Sequence, residues 1–346
     1  MNSRPAPPET AAADFRATAR ALVRHCAAYK GADTRRSLLQ LANTFIPLAA
    51  ILAVMGFGYA AGFWPVLLLV IPAGGLLVRV FIIQHDCGHG SFFRSRRAND
   101  ILGHLLSVLT LAPYMIWRRA HAVHHATSGN LDRRGTGDIL TLTVQEYRAM
   151  PAYKRLAYRI FRNPVMVLGF GAPWLFLINY RVPFGAPLPF RDAWRGILVL
   201  DLVLVAVYGL AVALVGWQAL TLLVLPSVLI AAWAGGWLFF IQHQFADSHW
   251  AREGEWDFHT SAILGSSYLV LPRVLQWFSG NIGLHHIHHL CGKIPNYRLQ
   301  ECLDASPVLQ TTSRLTLRDS LGCLRLALWD ETDRRMIGFR EAARIA

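Results

Sequence analysis

The sequence predicts an all-α integral membrane protein: four transmembrane helices in two hairpins, further helices at the interface, and a cytoplasmic helical cap carrying a metal centre. Three observations predict it. Hydrophobic residues make up 54% of the 346-residue chain, and mean hydropathy is +0.33, high for a soluble globular domain. Two long stretches lack any charged side chain, 42 residues from Ser37 to Val78 and 45 from Leu202 to Ala246. Nine of the 14 histidines fall in three five-residue clusters, HDCGH at His85–His89, HAVHH at His121–His125 and HHIHH at His285–His289.

Residues 1–36 form a cytoplasmic N-terminal tail. Its first residues, with Pro5, Pro7 and Pro8, read as disordered and carry no apolar core of a signal peptide. An amphipathic or surface helix follows near Phe15–Tyr29. A bilayer crossing takes roughly 20 apolar residues, so each uncharged stretch holds a hairpin. The first runs about Leu38–Ala60 and Phe63–Ile83, turning around Gly58, Gly62 and Pro65. The second runs about Arg195–Val215 and Gln218–Gln242, turning at Gly216 and Trp217. Between them Ile101–Trp117 and Val165–Tyr180 are also apolar. A single crossing by either would put the clusters on opposite faces, so both are expected to be interfacial or re-entrant. The membrane domain thus covers 37–302 with all three clusters, and 303–346 form a cytoplasmic C-terminal tail.

None of the 34 Lys and Arg residues falls in either hairpin turn. The positive-inside rule therefore puts the N-terminus, the central segment, the C-terminus and the histidine clusters on the cytoplasmic side, at the inner membrane if the cell is bacterial. The net charge of +13 fits basic flanks on anionic membrane lipids, or a docking face for an acidic redox partner. No nucleic-acid-binding fold surrounds the Arg-rich runs, so nucleic acid is excluded. Cys26, Cys87, Cys291, Cys302 and Cys323 all fall on the reducing side, where no disulfide framework is expected. Arg79 is expected to snorkel, and Asp201 to reach the interface near the start of its span.

Imidazoles four apart share a helix face, so His85 and His89 can hold one ion together, and the other two clusters each present histidines at spacings of three and four. His243, at the end of the fourth span, reads as a further ligand, with a hydrogen-bonded helix-end role as the alternative. The candidate ligands are His85, His89, His121, His124, His125, His243, His285, His288 and His289. They exceed the needs of one tetrahedral zinc and suit two ions with open positions, most economically two Fe in a non-haem di-iron site. Asp86, Asp138 and Asp257 either orient ligand rings or serve as caps and surface pairs. Asn281 either supports a water on the metal or is a turn residue, and whether it or His286 contacts the site stays open. His25, His104, His249, His259 and His286 read first as structural.

At these residues the chain resembles the membrane fatty acid desaturases, whose pattern is HxxxH, HxxHH and HxxHH or QxxHH. The strings QHDCGHGSFF, HHATSGNLDRRGTGD and GNIGLHHIHHLCGKIPNYRLQEC are most similar to the acyl-lipid branch that includes Δ12/ω6 desaturases. The resemblance covers roughly His85 to Cys302. It implies an O2-dependent oxidoreductase that takes two electrons and introduces a cis double bond between adjacent CH2 groups of an acyl chain. It also implies that the box histidines are the iron ligands, with His243 similar to a further ligand that some members carry. The Asn that some members place four residues earlier is replaced by Phe239.

No haem-attachment CxxCH, Rossmann fingerprint or iron–sulfur cysteine set is present, so no tightly bound organic cofactor is expected. Electrons must come from another protein, and the resemblance implies ferredoxin or cytochrome b5. An apolar acyl tunnel is expected, with Trp174, Trp233, Trp237, Phe239, Phe240 and Tyr268 as candidate lining or as ordinary packing. A related di-iron lipid hydroxylase, carotenoid ketolase or alkane monooxygenase would use similar boxes. Zinc hydrolysis would leave two clusters without a purpose, and metal transport would place ligands near the bilayer midplane instead of at span ends.

Overall fold

A computed structural model describes residues 9–345, with side chains from 17 onward. The Pro-rich opening expected to be disordered lies outside the described residues. Helix Glu9–Ala27 follows it and buries Ala19, Leu22 and Cys26, one helical face, against Leu284, Ile287 and Leu290.

Four helices are long and apolar enough to cross a membrane: Thr34–Ala60, Trp64–His89, Phe190–Val215 and Trp217–His243. They extend the expected spans by one to six residues at the end nearest the histidines. Asp33 caps the first by accepting from the backbone N–H of Arg35 and Arg36. Gly62, at φ +71°, turns the first hairpin, and Gly216, at φ +84°, the second. The second span is the central post, with half of its apolar window buried against 11% for the third. It packs on the fourth, where Gly74 lets the backbones meet: a Cβ there would sit 2.9 Å from the Ser227 carbonyl oxygen. Outward side chains such as Ile46, Phe57, Leu68, Leu202, Val205 and Leu214 are apolar and exposed, as a lipid-facing surface requires.

The two intermediate apolar stretches are bent. Arg96–Thr110 and Tyr114–Thr127 meet at 102°, around Leu111 at φ +58° and Pro113. The pair starts beside HDCGH and brings HAVHH back to it, so it does not cross. Ala152–Phe161 and Val165–Arg181 meet at 58°.

One charge in the spans differs from expectation and a second is held by a partner. Arg79 is 7% exposed and does not snorkel. Its guanidinium donates to Thr44 Oγ1 at 3.0 Å and to the Trp277 carbonyl, and lies 4.3 Å over the Trp277 ring. Asp201, six residues past Arg195 on the third span, keeps 32% of its side chain exposed and pairs with Arg181, which also donates to the Leu111 carbonyl. A charge at membrane depth is stabilised by a partner when its side chain does not reach water.

The cap is helical with small sheet additions. Leu142–Thr143 pairs in parallel with Leu328–Asp330, which pairs antiparallel with Arg335–Ile337. Tyr268–Leu269 pairs in parallel with Arg314–Leu315. Residues 303–345 therefore pack into the cap, with Leu328 and Ile337 fully buried.

Candidate metal centre

Each cluster sits on a fixed element. HDCGH is the last turn of the second span, ended by Gly90 in the left-handed region. HAVHH lies on Tyr114–Thr127, HHIHH on the short helix His285–Leu290, and His243 ends the fourth span. Ile287 and Leu290 anchor the short helix under the N-terminal helix.

The nine imidazoles converge in two groups, each with its ligand atoms within 4.8 Å of one another. His85, His89, His121, His125 and His288 form the first; His124, His243, His285 and His289 form the second. Successive residues on a helix diverge by about 100°. His124 and His125 therefore face different groups, as do His288 and His289.

Ring nitrogens meet tip to tip. Nε2–Nε2 separations are 3.1 Å for His124–His243, 3.1 Å for His243–His285, 3.1 Å for His121–His125 and 3.0 Å for His125–His288. Two imidazoles bound at right angles to one ion at ~2.1 Å would be separated by roughly 3.0 Å. Nε2 of His85, His89 and His289 is buried without a hydrogen-bond partner, an arrangement that costs roughly 1–3 kcal/mol per group unless something else binds there. Burial first, and neighbouring imidazoles second, hold His285, His288 and His289 well below the ordinary histidine value. They are neutral at pH 7, the form that ligates metal. The donor set and its orphaned nitrogens fit two nitrogen-ligated ions.

The opposite ring nitrogens are held from behind. His124 Nδ1 donates to Asp138 Oδ1 at 2.5 Å, His243 Nδ1 to the Gly265 carbonyl at 2.9 Å, and His85 Nδ1 to Asp86 Oδ1 at 3.1 Å. Asp86 is itself fixed by Asn296, whose backbone N–H and Nδ2 donate to Oδ2 at 2.7 and 2.8 Å. Such contacts select the tautomer that presents Nε2 to the centre.

Where two readings stood open for Asp257 and Asn281, the structural one holds. Asp257 caps helix Phe258–Leu264 by accepting from Thr260. Asn281 is a turn residue at φ +60° whose Nδ2 donates to the Asn296 carbonyl. His286 donates to the Leu309 carbonyl and stacks on Tyr268, and His25 donates to the Cys302 carbonyl. These two, with His104, His249 and His259, stay outside both groups. Among the aromatic positions expected to line a tunnel, Phe239 touches the centre, 5.5 Å from the His124 ring and 5.9 Å from His243. Trp174 and Trp233 are exposed, Phe240 is buried beneath Arg162, Trp237 packs in the core, and Tyr268 is the His286 stacking partner.

Trp117 went unremarked in the sequence. It stacks on His121 at 4.7 Å and continues through Phe81 to Phe176, an aromatic wall leading away from the first group. Its position four residues before His121 was the available signal.

Comparison with known proteins agrees with this geometry. The profile of the family described as fatty acid desaturase matches residues 61–313, a range that includes all nine converging histidines. A fatty acid desaturase of Bacillus subtilis is 41% identical over 319 residues, 92% of this chain and 90% of that protein. An sn-1 acyl-lipid omega-3 desaturase (ferredoxin) of Synechocystis is 28% identical, covering 71% of this chain and 68% of its own length. An sn-1 oleoyl-lipid 12-desaturase of Synechocystis is 25% identical, with coverage of 66% and 64%. A helical membrane architecture, two facing groups of imidazoles and matches across most of the chain lead to one conclusion: this oxidoreductase belongs to the fatty acid desaturase family.

Proposed function

We propose that the protein introduces a cis double bond into the acyl chains of membrane lipids, at a di-iron centre facing the cytoplasm, with electrons from a ferredoxin or cytochrome b5-type donor. The nine histidines of the two groups are the iron ligands. The observation that carries this reading is their division into five and four around two adjacent points. Two irons held there would supply, with O2 and two electrons, the oxidising power to remove two hydrogens from adjacent CH2 groups, with water as the other product.

The chain's own residues do the positioning. Asp138, Gly265 and Asp86 fix three rings from behind. The second group is buried, His89, His121 and His125 of the first are half-buried, and the wall of Trp117, Phe81 and Phe176 offers an acyl chain an apolar surface beside the first group. The acyl-lipid reading draws on the sequence strings around the boxes and on relatives named for lipid-linked acyl groups. Those relatives include omega-3 and 12-desaturases, and the string resemblance favours the Δ12/ω6 position.

The test is expression in a host making defined saturated and monounsaturated lipids, with each donor supplied, followed by mass spectrometry that locates new double bonds. Loss of two hydrogens in lipid-linked chains is expected, at Δ12/ω6. A gain of oxygen instead would replace this reading with the related hydroxylase, ketolase or monooxygenase chemistry. Unchanged acyl chains with a competent donor and loaded metal would remove the substrate assignment.

A further inference from the structure

Helix Ala152–Phe161 has two unlike faces. Tyr153, Leu156, Ile160 and Phe161 are exposed and largely apolar, and the exposed apolar surface continues through Val165, Phe170 and Trp174 of the bent segment that follows. The helix therefore lies at the bilayer surface with this side toward lipid. Its other side, with Arg155 and Arg159, borders a groove of about 460 Å³ that is also lined by Tyr147, Arg148 and Phe339.

Three arginines, Arg148, Arg155 and Arg159, line this groove, and no carboxylate lines it among the described residues. Arg159 donates to the Tyr147 hydroxyl at 2.6 Å and lies 5.3 Å over the Phe339 ring. Arg148 donates to the Ala342 carbonyl at 2.6 Å. Both contacts fix the positive groups without neutralising them. Arg155 is exposed on the first turn of the helix, with no side-chain partner among the described residues. The acids nearest in sequence are occupied: Glu146 pairs with Arg134 and Glu341 with Arg335. Fixed, planar, uncompensated guanidinium groups are suited to the oxygens of a phosphate.

We propose that this groove binds the phosphate headgroup of an anionic phospholipid, with the lipid's glycerol and acyl part running along Leu156 into the bilayer. The adjoining apolar surface favours a lipid over a free phosphate, because a soluble anion would leave Leu156 and its neighbours uncovered. An anionic headgroup is favoured over a zwitterionic one because three positive charges line the groove without a facing acid. The site is separate from the nine histidines, and its test reads no desaturation. Its failure therefore leaves the proposed function untouched.

The test uses the full-length, metal-loaded protein in detergent, titrated with phosphatidylglycerol and followed by native mass spectrometry and thermal melting. The wild type is expected to bind phosphatidylglycerol at least fivefold more tightly than phosphatidylcholine, and inorganic phosphate at the same concentration is expected not to displace it. Arg155→Gln is expected to weaken phosphatidylglycerol binding about tenfold. Lys154→Gln, which removes the same charge from the neighbouring position outside the groove, is expected to change it less than twofold. Arg155 is exposed, so its variant is expected to keep the wild-type melting temperature without lipid. Equal losses in both variants would overturn the proposal in favour of diffuse surface charge. Unchanged binding in Arg155→Gln, equal affinity for phosphatidylcholine, or displacement by inorganic phosphate would each overturn it as well.

Discussion

Replacing Asp138 with Asn tests whether the two groups of imidazoles are distinct metal sites. The carboxylate is 6% exposed and meets the fully buried His124 ring at 2.5 Å. Asn keeps the shape but removes the charge that holds Nδ1–H and raises the basicity of Nε2. Losing such a support typically weakens a metal site 10–100-fold, about 1.4–2.7 kcal/mol. Among the described residues Asp138 is hydrogen-bonded to His124, which belongs to the second group. Metal-depleted protein titrated with iron should therefore bind one ion per chain as the wild type does, and a second 10–100-fold more weakly. Stoichiometry and affinity are read by absorbance and mass spectrometry. Equal weakening at both sites, or unchanged affinity at both, refutes the assignment.

Asp257→Ala should leave iron binding unchanged and cost about 1 kcal/mol, the typical loss for an N-cap, read as a lower melting temperature. Gly74→Leu should destabilise by about 1–3 kcal/mol, because a Cβ there would already sit 2.6 Å from Ile230 Cγ2; unfolding in detergent measures it. Arg181→Met should leave Asp201 without its partner, at a cost of up to about 1 kcal/mol for a partly exposed pair. Adding Asp201→Leu should recover most of that loss, and a double variant no more stable than the single one would count against the pair. Chelation should lower stability, since a ligand bound only by the folded state contributes ~2.7 kcal/mol at a hundred times its dissociation constant; melting with and without chelator checks this.

The spans were legible because two runs of more than forty residues without charge admit few other structures, and the histidine spacing is itself a statement of geometry. What the sequence did not reveal depends on contacts between distant segments. Residues 303–346 carry no long periodic apolar run, yet Leu328–Asp330 is the middle strand of a sheet because Leu142–Thr143 supplies one neighbour and Arg335–Ile337 the other. Arg79 looked like a group seeking water because its partners, Thr44 and Trp277, lie on other elements. Asn281 read as a possible support for a metal-bound water; its side chain is instead taken by the Asn296 carbonyl fifteen residues on. Spacing fixed which histidines could cooperate, but their division into five and four follows from how four elements converge.

That division makes the distance between the two groups a property of helix geometry. His124 and His125 are consecutive on one helix and serve different groups, as are His288 and His289 on another. Rotating either helix to improve one group would turn its other ring away from the second. The spans add two fixed posts, His85 with His89 at the end of the second and His243 at the end of the fourth, and these two spans are locked by the close approach at Gly74. No loop sets the separation, so little reorganisation is open to it. Trp117, stacked on His121 of the first group, and Phe239, beside His124 and His243 of the second, pack directly on this fixed frame.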